Sequence, residues 1–410
     1  MAANSGISLN DPDLIVDPYS VYGHLVENDP IHRSDMFGGS WLLFRYDTAR
    51  AFLTDPRLTG NRSKVPLLTL PVEQRAEFAD IGEMLHEWIA FFDGESHRRR
   101  RKTLAAATSL LSISNLAPRV EAFCHRLIGP LANRTSFDLI TDLARPLPAM
   151  VIADLIGTPV ADYELLITWS DAIAHIFGSS RLTVEEMREA QRATHNFVDY
   201  LADVARSAPR DTIIGQLLDC EADGFRFTLG GTIAQCILLL FAGLEPTRFL
   251  IGNAVQALCA HPAQFRLLRD HPELLNSTVE EVLRFDTPVQ FVGRLAAVDF
   301  SLPDGREVKA GEPVLPFVGA ANRDPRVFEN PHRFDITRTP NRHLAFGHGP
   351  HQCIGATLVR VQAVSVLRQL LERMPNLRLD PDRPPVWNRN LGFHGARQLP
   401  MLSDAPRTLT

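Results

Sequence analysis

Apolar residues recur at helical spacing through most of this chain, and strand-like stretches are short. From Pro18 to about Asp29 the pattern predicts an amphipathic helix. Ile31 to Phe44, ending in GGSWLLF, predicts a strand pair, and TARAFLTDPR returns to helix. Between Asn61 and Asp93 the pattern is broken by Pro66 and Pro71. It then carries Phe78, Ile81, Met84, Leu85, Trp88, Phe91 and Phe92, the spacing of a short core-facing helix. Two helical stretches from Thr168 to Tyr200 flank IFGSSRLTVEEM, with Glu185 and Glu186 in a first turn. Gly231 to Cys259 is hydrophobic nearly all round, which predicts a long buried helix. Leu358, Val361, Val364, Leu367 and Leu371 mark the buried face of a late one. The expectation is a mainly α protein with small β-sheets.

The 410 residues show no linker, repeat or low-complexity run, so we read residues 1–410 as a single domain. A formal net charge of −6 argues against nucleic-acid binding, which calls for a basic surface. Cys124, Cys220, Cys236, Cys259 and Cys353 are odd in number and far apart, as in a reduced cytoplasmic protein. The first twenty residues lack a basic flank before an apolar core. No apolar run reaches the ~20 residues that span a bilayer, so neither a signal peptide nor a membrane anchor is expected.

The chemistry concentrates in HLAFGHGPHQCIGATLVR, His343 to Arg360. Gly347 and Gly349 allow a tight turn and the close approach of a large flat ligand. Cys353 lies just before the late helix, where free N–H groups and the dipole favour a thiolate. With no CxxC partner nearby, structural zinc is disfavoured, whereas an axial ligand to haem iron needs one sulfur only. Phe346, Gly347, Gly349, His351, Cys353 and Gly355 together form FGxGxHxCxG, which resembles the haem-ligand loop of the cytochrome P450 superfamily. The resemblance covers nearly the whole chain and implies that family's fold, with haem b between a long distal helix and the cysteine loop.

It further implies an iron-ligating thiolate from Cys353 and a propionate contact from His351. In DGESHRRRRKTLAAATS, His97 and Arg101 stand at i and i+4 and so share a helix face. The resemblance assigns both, and Arg294, to propionates. Arg99, Arg100 and Lys102 remain as a basic patch for an acidic ferredoxin, or simply as a solvated face. Glu281 and Arg284 in TVEEVLRFD, with Arg338, match a buried network that supports the cysteine loop, for which arginine's planar fork is suited. Leu143 to Pro159 resembles a recurrent family helix with no assigned chemistry, and IFGSSRLTVEEM a lid.

In the long helix, Ala242, Gly243, Leu244 and Glu245 align with the family's oxygen-binding turn. The resemblance makes Ala242 and Gly243 the close approach over haem and Glu245 the proton-feeding acid. The position of the usual relay threonine is Pro246, and Thr247 lies a further ~100° round the helix. Pro246 also deletes the donor to the Ala242 carbonyl. Three readings stay open. Pro246 only fixes a kink; a substrate hydroxyl or ordered water supplies the relay; or the enzyme uses peroxide, or performs coupling, desaturation or rearrangement. Trp88, Phe91, Leu244, Val289, Phe291, Val292, Phe393 and His394 are expected around the substrate, with no charged residue clearly pointing in.

The expected function is a soluble bacterial haem-thiolate monooxygenase. It would oxidise a mid-sized, largely apolar metabolite by hydroxylation, epoxidation or oxidative coupling, with electrons from ferredoxin and ferredoxin reductase. A peroxide-dependent oxygenase or haem-thiolate isomerase is the alternative, and a non-catalytic recruitment or stabilising partner a reading of another class.

Overall fold

The computed structural model describes residues 13–108, 113–177 and 182–404. The N-terminal residues 1–12 and the centre of the expected lid, residues 178–181, lie outside the described residues. The predicted helices form: Tyr19–Asn28, Tyr46–Phe52, Ala79–His86, Gly94–Ala107, Tyr163–His175, Val184–Arg206 and Ala356–Arg373. Thr183 and Glu186 close a reciprocal capping box on the helix Val184–Arg206.

The long helix runs unbroken over Leu229–Ala260, started by the Thr228 side chain, which accepts from the Gly231 N–H at 3.0 Å. By length and composition alone it could cross a membrane, against our expectation of no such run. Here it is the core element, packed on the helices Pro146–Ile156 and Ala356–Arg373. The approach to the first is close, since a Cβ on Gly243 would come within 2.0 Å of the Ile152 Cδ1.

A five-stranded sheet flanks this helical body in the order Ile31–Ser34, Ser40–Leu43, Pro313–Pro316, Arg294–Ala296, Leu58–Thr59. The central pair, Ser40–Leu43 with Pro313–Pro316, is parallel and the other pairings are antiparallel. Pairing of Leu58 with Ala296 and Thr59 with Leu295 brings the chain after Thr59 alongside Arg294. That neighbourhood, remote in sequence, shapes one wall of the site.

Candidate active site

The cysteine loop is fixed by its own backbone and by a polar frame beneath it. Gly347 and Gly349 take φ of +72° and +79°, and the Cys353 N–H donates to the Phe346 carbonyl at 2.9 Å. At Gly349 a Cβ would also lie 2.3 Å from the Thr54 Cγ2, so glycine is required twice over. Glu281 and Arg284 are both 0 % exposed and meet through two 2.8 Å bonds. Arg284 also donates to the carbonyls of Asn322, Pro331 and Arg333, and Arg338 Nε reaches Glu281 at 3.2 Å. The frame therefore grips the segment leading into the loop, with every strong donor of Arg284 used.

Sequence reasoning missed the neighbouring Glu280. It binds Arg360 at 2.6 and 2.8 Å and His343 at 3.2 Å, tying both ends of the loop to one carboxylate. Arg360 in turn lies 4.5 Å over the Phe346 ring. Against desolvation, Arg360 and His343 hold the Glu280 carboxyl down at about 2.

Between loop and long helix lies a cavity with an empty volume of about 1290 Å³. Cys353 and Gly355 open onto it from one side, and Ala242, Gly243 and Thr247 from the other. His97, Arg101, Arg294 and His351 line it too, together with Val292. The basic helix Gly94–Ala107 thus presents His97 and Arg101 on one face, as their i, i+4 spacing requires. Its N-terminal Asp93 does not cap it. Instead the carboxylate takes the Gly60 N–H at 3.0 Å and the Thr59 hydroxyl at 2.5 Å, and approaches His351 at 3.4 Å. The rings of His97 and His351 stand 4.0 Å apart.

One further cation belongs to this wall, and no local motif marked it. Arg62 lines the cavity beside Arg294, brought there by the strand Leu58–Thr59. Arg62, Arg101, Arg294, His97 and His351 thus share one end of the cavity, where Asp93 reaches His351 at 3.4 Å. Burial, with repulsion from His351, Arg101 and Arg294, pushes His97 down to about 4. A desolvated basic cluster of this kind calls for anions. A haem, with its iron to accept one sulfur and its carboxylates to meet these cations, fits the donor set.

Burial also pushes the Cys353 thiol above its usual range, despite the Gly355 N–H, Arg101 and Arg360. The helix begins only at Ala356, three residues beyond the sulfur. Binding of a cation would remove the proton instead.

The other expected residues separate by the geometry of their elements. Glu245 does not line the cavity. It is turned into a buried network, 2.7 Å from Arg248, which meets Asp171 at 3.3 Å, while Arg145 holds Asp171 at 2.7 Å. Burial pushes Glu245 up to about 7 in spite of Arg248. Pro246 is half-buried, and the Thr247 hydroxyl is buried with no hydrogen-bond partner among the described residues. Leu244 is buried in the core.

Trp88 is buried in a stack with Phe91, Phe177 and Phe241, ring centroids 5.6–6.0 Å apart, and so supports the wall rather than facing the site. Phe91 and Phe291 line a second cavity of about 660 Å³, which shares Arg62 and Arg294 with the first. Phe393 and His394 are displaced from the pocket we expected. Val289 pairs with Phe393, and this directs His394 onto Asp286 at 2.8 Å, beside a separate cavity under the N-terminal helices. The basic patch lies at the surface, where Arg98, Arg99 and Lys102 are paired with Glu95 and Asp223, and Arg100 stacks on Phe92 and Phe225.

Comparison with known proteins agrees with this construction. The family model for cytochrome P450 matches residues 73–390. The chain is 32 % identical to the polyketide biosynthesis cytochrome P450 PksS of Bacillus subtilis, covering 94 % of this chain and 95 % of that one. It is 36 % identical to the cytochrome P450 monooxygenase PikC of Streptomyces venezuelae, covering 95 % and 92 %. Among solved structures, P450BioI in complex with hexadec-9Z-enoic acid ligated acyl carrier protein superposes with a TM-score of 0.87 at 31 % identity, covering 96 % of this chain and 100 % of that one. With the family matched across most of its length and a cavity whose sulfur and cations suit haem b, this chain belongs to the cytochrome P450 family of haem monooxygenases.

Proposed function

We propose that the chain is a cytoplasmic bacterial monooxygenase of secondary metabolism. It takes electrons from ferredoxin and ferredoxin reductase and hydroxylates, epoxidises or oxidatively couples a mid-sized, largely apolar metabolite. The observation that carries the reading is the single cavity joining Cys353 to the basic cluster beneath Ala242 and Gly243. Relatives named for polyketide biosynthesis and mycinamicin oxidation support the substrate class.

Bound haem supplies the activation of dioxygen, tuned by a thiolate ligand. In this reading Cys353 holds the iron, and His97, Arg101, Arg294 and His351 hold the propionates. Phe346, Gly347 and Gly355 shape the loop, and Glu281, Arg284 and Arg338 keep it in place. Ala242 and Gly243, small residues of the cavity wall, would leave room for haem against the long helix. Glu245 keeps a proton near neutral pH behind the cavity wall rather than within it, next to Pro246 and Thr247.

The test is the carbon monoxide difference spectrum of the reduced protein, which distinguishes thiolate from other axial ligation. Cys353→His should abolish the thiolate signature while retaining haem; an unchanged spectrum would refute the assignment. Pro246 favours a second reading, a peroxide-dependent oxygenase or haem-thiolate isomerase. Turnover with peroxide alone, set against turnover with ferredoxin and its reductase, separates the two.

A further inference from the structure

Arg62 makes no ion pair among the described residues, although the charge of Asp93 acts on it from farther off. Its hydrogen bond within the protein is a 3.4 Å contact from Nε to the Gly60 carbonyl, and its guanidinium lies 5.5 Å over the Phe91 ring. Among the described residues no carboxylate stands within ion-pair distance of it. Asp93 is already occupied by Thr59, Gly60 and His351. Burial and the neighbouring Arg294, opposed by Asp93, push the Arg62 guanidinium down to about 9. Two adjacent desolvated cations are stable only where an anion joins them.

Beside the four residues assigned to the propionates of haem b, His97, Arg101, Arg294 and His351, Arg62 is a fifth cation of this wall. Arg62 also faces a different space. It lines the 660 Å³ cavity, whose remaining wall is apolar apart from Arg294 and Thr69 and includes Phe37, Val65, Phe177 and Phe291. The slot is fitted to the guanidinium, since a Cβ on Gly293 would come within 2.2 Å of Arg62 Nη1. An apolar chamber with one spare charged fork at its junction with the haem cavity is built for a ligand that is itself apolar with one anionic end.

We propose that Arg62 binds a carboxylate of the substrate, and that the substrate class is an apolar monocarboxylic acid whose body occupies the smaller cavity. The proposal deepens the monooxygenase reading and rests on haem filling the larger cavity. It also replaces the expectation of a pocket without charge.

The test uses the purified ferric holoenzyme and follows the haem absorption band during titration with decanoic, dodecanoic and hexadecanoic acids and with their methyl esters. A charge-assisted pair in a dry site predicts that at least one acid binds about tenfold tighter than its ester. Arg62→Gln should remove that preference while the ester's affinity stays the same, and Arg62→Lys should restore part of it. Equal affinity of acid and ester in the wild type, no shift with any acid, or a preference that survives Arg62→Gln would overturn the proposal. Loss of haem from Arg62→Gln in place of loss of acid binding would overturn it too, assigning Arg62 to a propionate. The acid and ester comparison needs no variant, so it decides the matter even where Arg62→Gln fails to fold. Haem content and the carbon monoxide spectrum, recorded on the same samples, report separately on the underlying monooxygenase reading.

Discussion

Glu245 is the residue whose ionisation the structure makes most measurable. Its carboxylate is buried beside Arg248 and shares that arginine with Asp171, so one guanidinium faces two acids. Burial, with the added repulsion of Asp171, raises Glu245 from 4.5 to about 7. Below pH 4.5 both folded and unfolded chains carry the proton. Between 4.5 and about 7 the unfolded chain releases it and the folded chain keeps it, so stability falls as pH rises through this window. At about 1.4 kcal/mol per unit, the full loss is about 3 kcal/mol. Asp171, held low by Arg248 and Arg145 against desolvation, titrates below 3.8 and leaves the window clear. Glu245→Gln keeps the shape and cannot ionise. We expect the variant to gain about 3 kcal/mol on the wild type between pH 4.5 and 8, read from urea unfolding of both holoproteins at each pH. In the infrared the wild type should show a protonated carboxyl band at pH 6 that the variant lacks. A difference in stability that does not change with pH would mean that Arg248 keeps Glu245 ionised throughout, and the reasoning would fail.

Three further outcomes follow from the same geometry. Pro246→Thr should leave the haem spectrum unchanged and alter the ratio of product to peroxide; a constant ratio would return Pro246 to a purely structural role. Gly349→Ala must place a side chain at φ +79° and against Thr54, a backbone cost of ~1–2 kcal/mol before the clash, so haem content and thermal stability should both drop. Glu280, held at about 2, gives stability that is full above pH 4.5 and lost as pH falls toward 2. Discounted for its partial exposure this amounts to about 1–2 kcal/mol, so the wild-type advantage over Glu280→Gln should shrink on acidification in unfolding midpoints.

The cysteine loop was legible because its chemistry is contiguous: glycines, histidine and cysteine act on one another within eleven residues. His97 and Arg101 were legible for a similar reason, since a single helix period joins them. Arg62 was not, because its meaning comes from a strand pairing between Leu58–Thr59 and Arg294–Ala296 that no local pattern announces. Phe393 and His394 were misplaced because a turn's position in the chain says nothing about which side chain it hands inward. Here the pairing with Val289 gives His394 to Asp286.

The placement of Glu245, by contrast, follows from helix period alone. At ~100° per residue, Gly243 and Thr247 stand only ~40° apart, while Glu245 lies on the opposite side of the helix, ~160° from each of them. A continuous helix that turns Gly243 to the cavity must therefore turn Glu245 away from it, into Arg248 and Asp171. Pro246 acts on the same turn from the other direction. It offers no N–H to the Ala242 carbonyl, so an acceptor is released at a residue that lines the cavity, as Thr247 with its unpartnered hydroxyl also does. One acceptor and one hydroxyl on adjacent turns, with a protonated carboxyl behind them, are the groups that an ordered water would join. The turn thus carries released backbone polarity, and no side-chain hydroxyl, at Pro246.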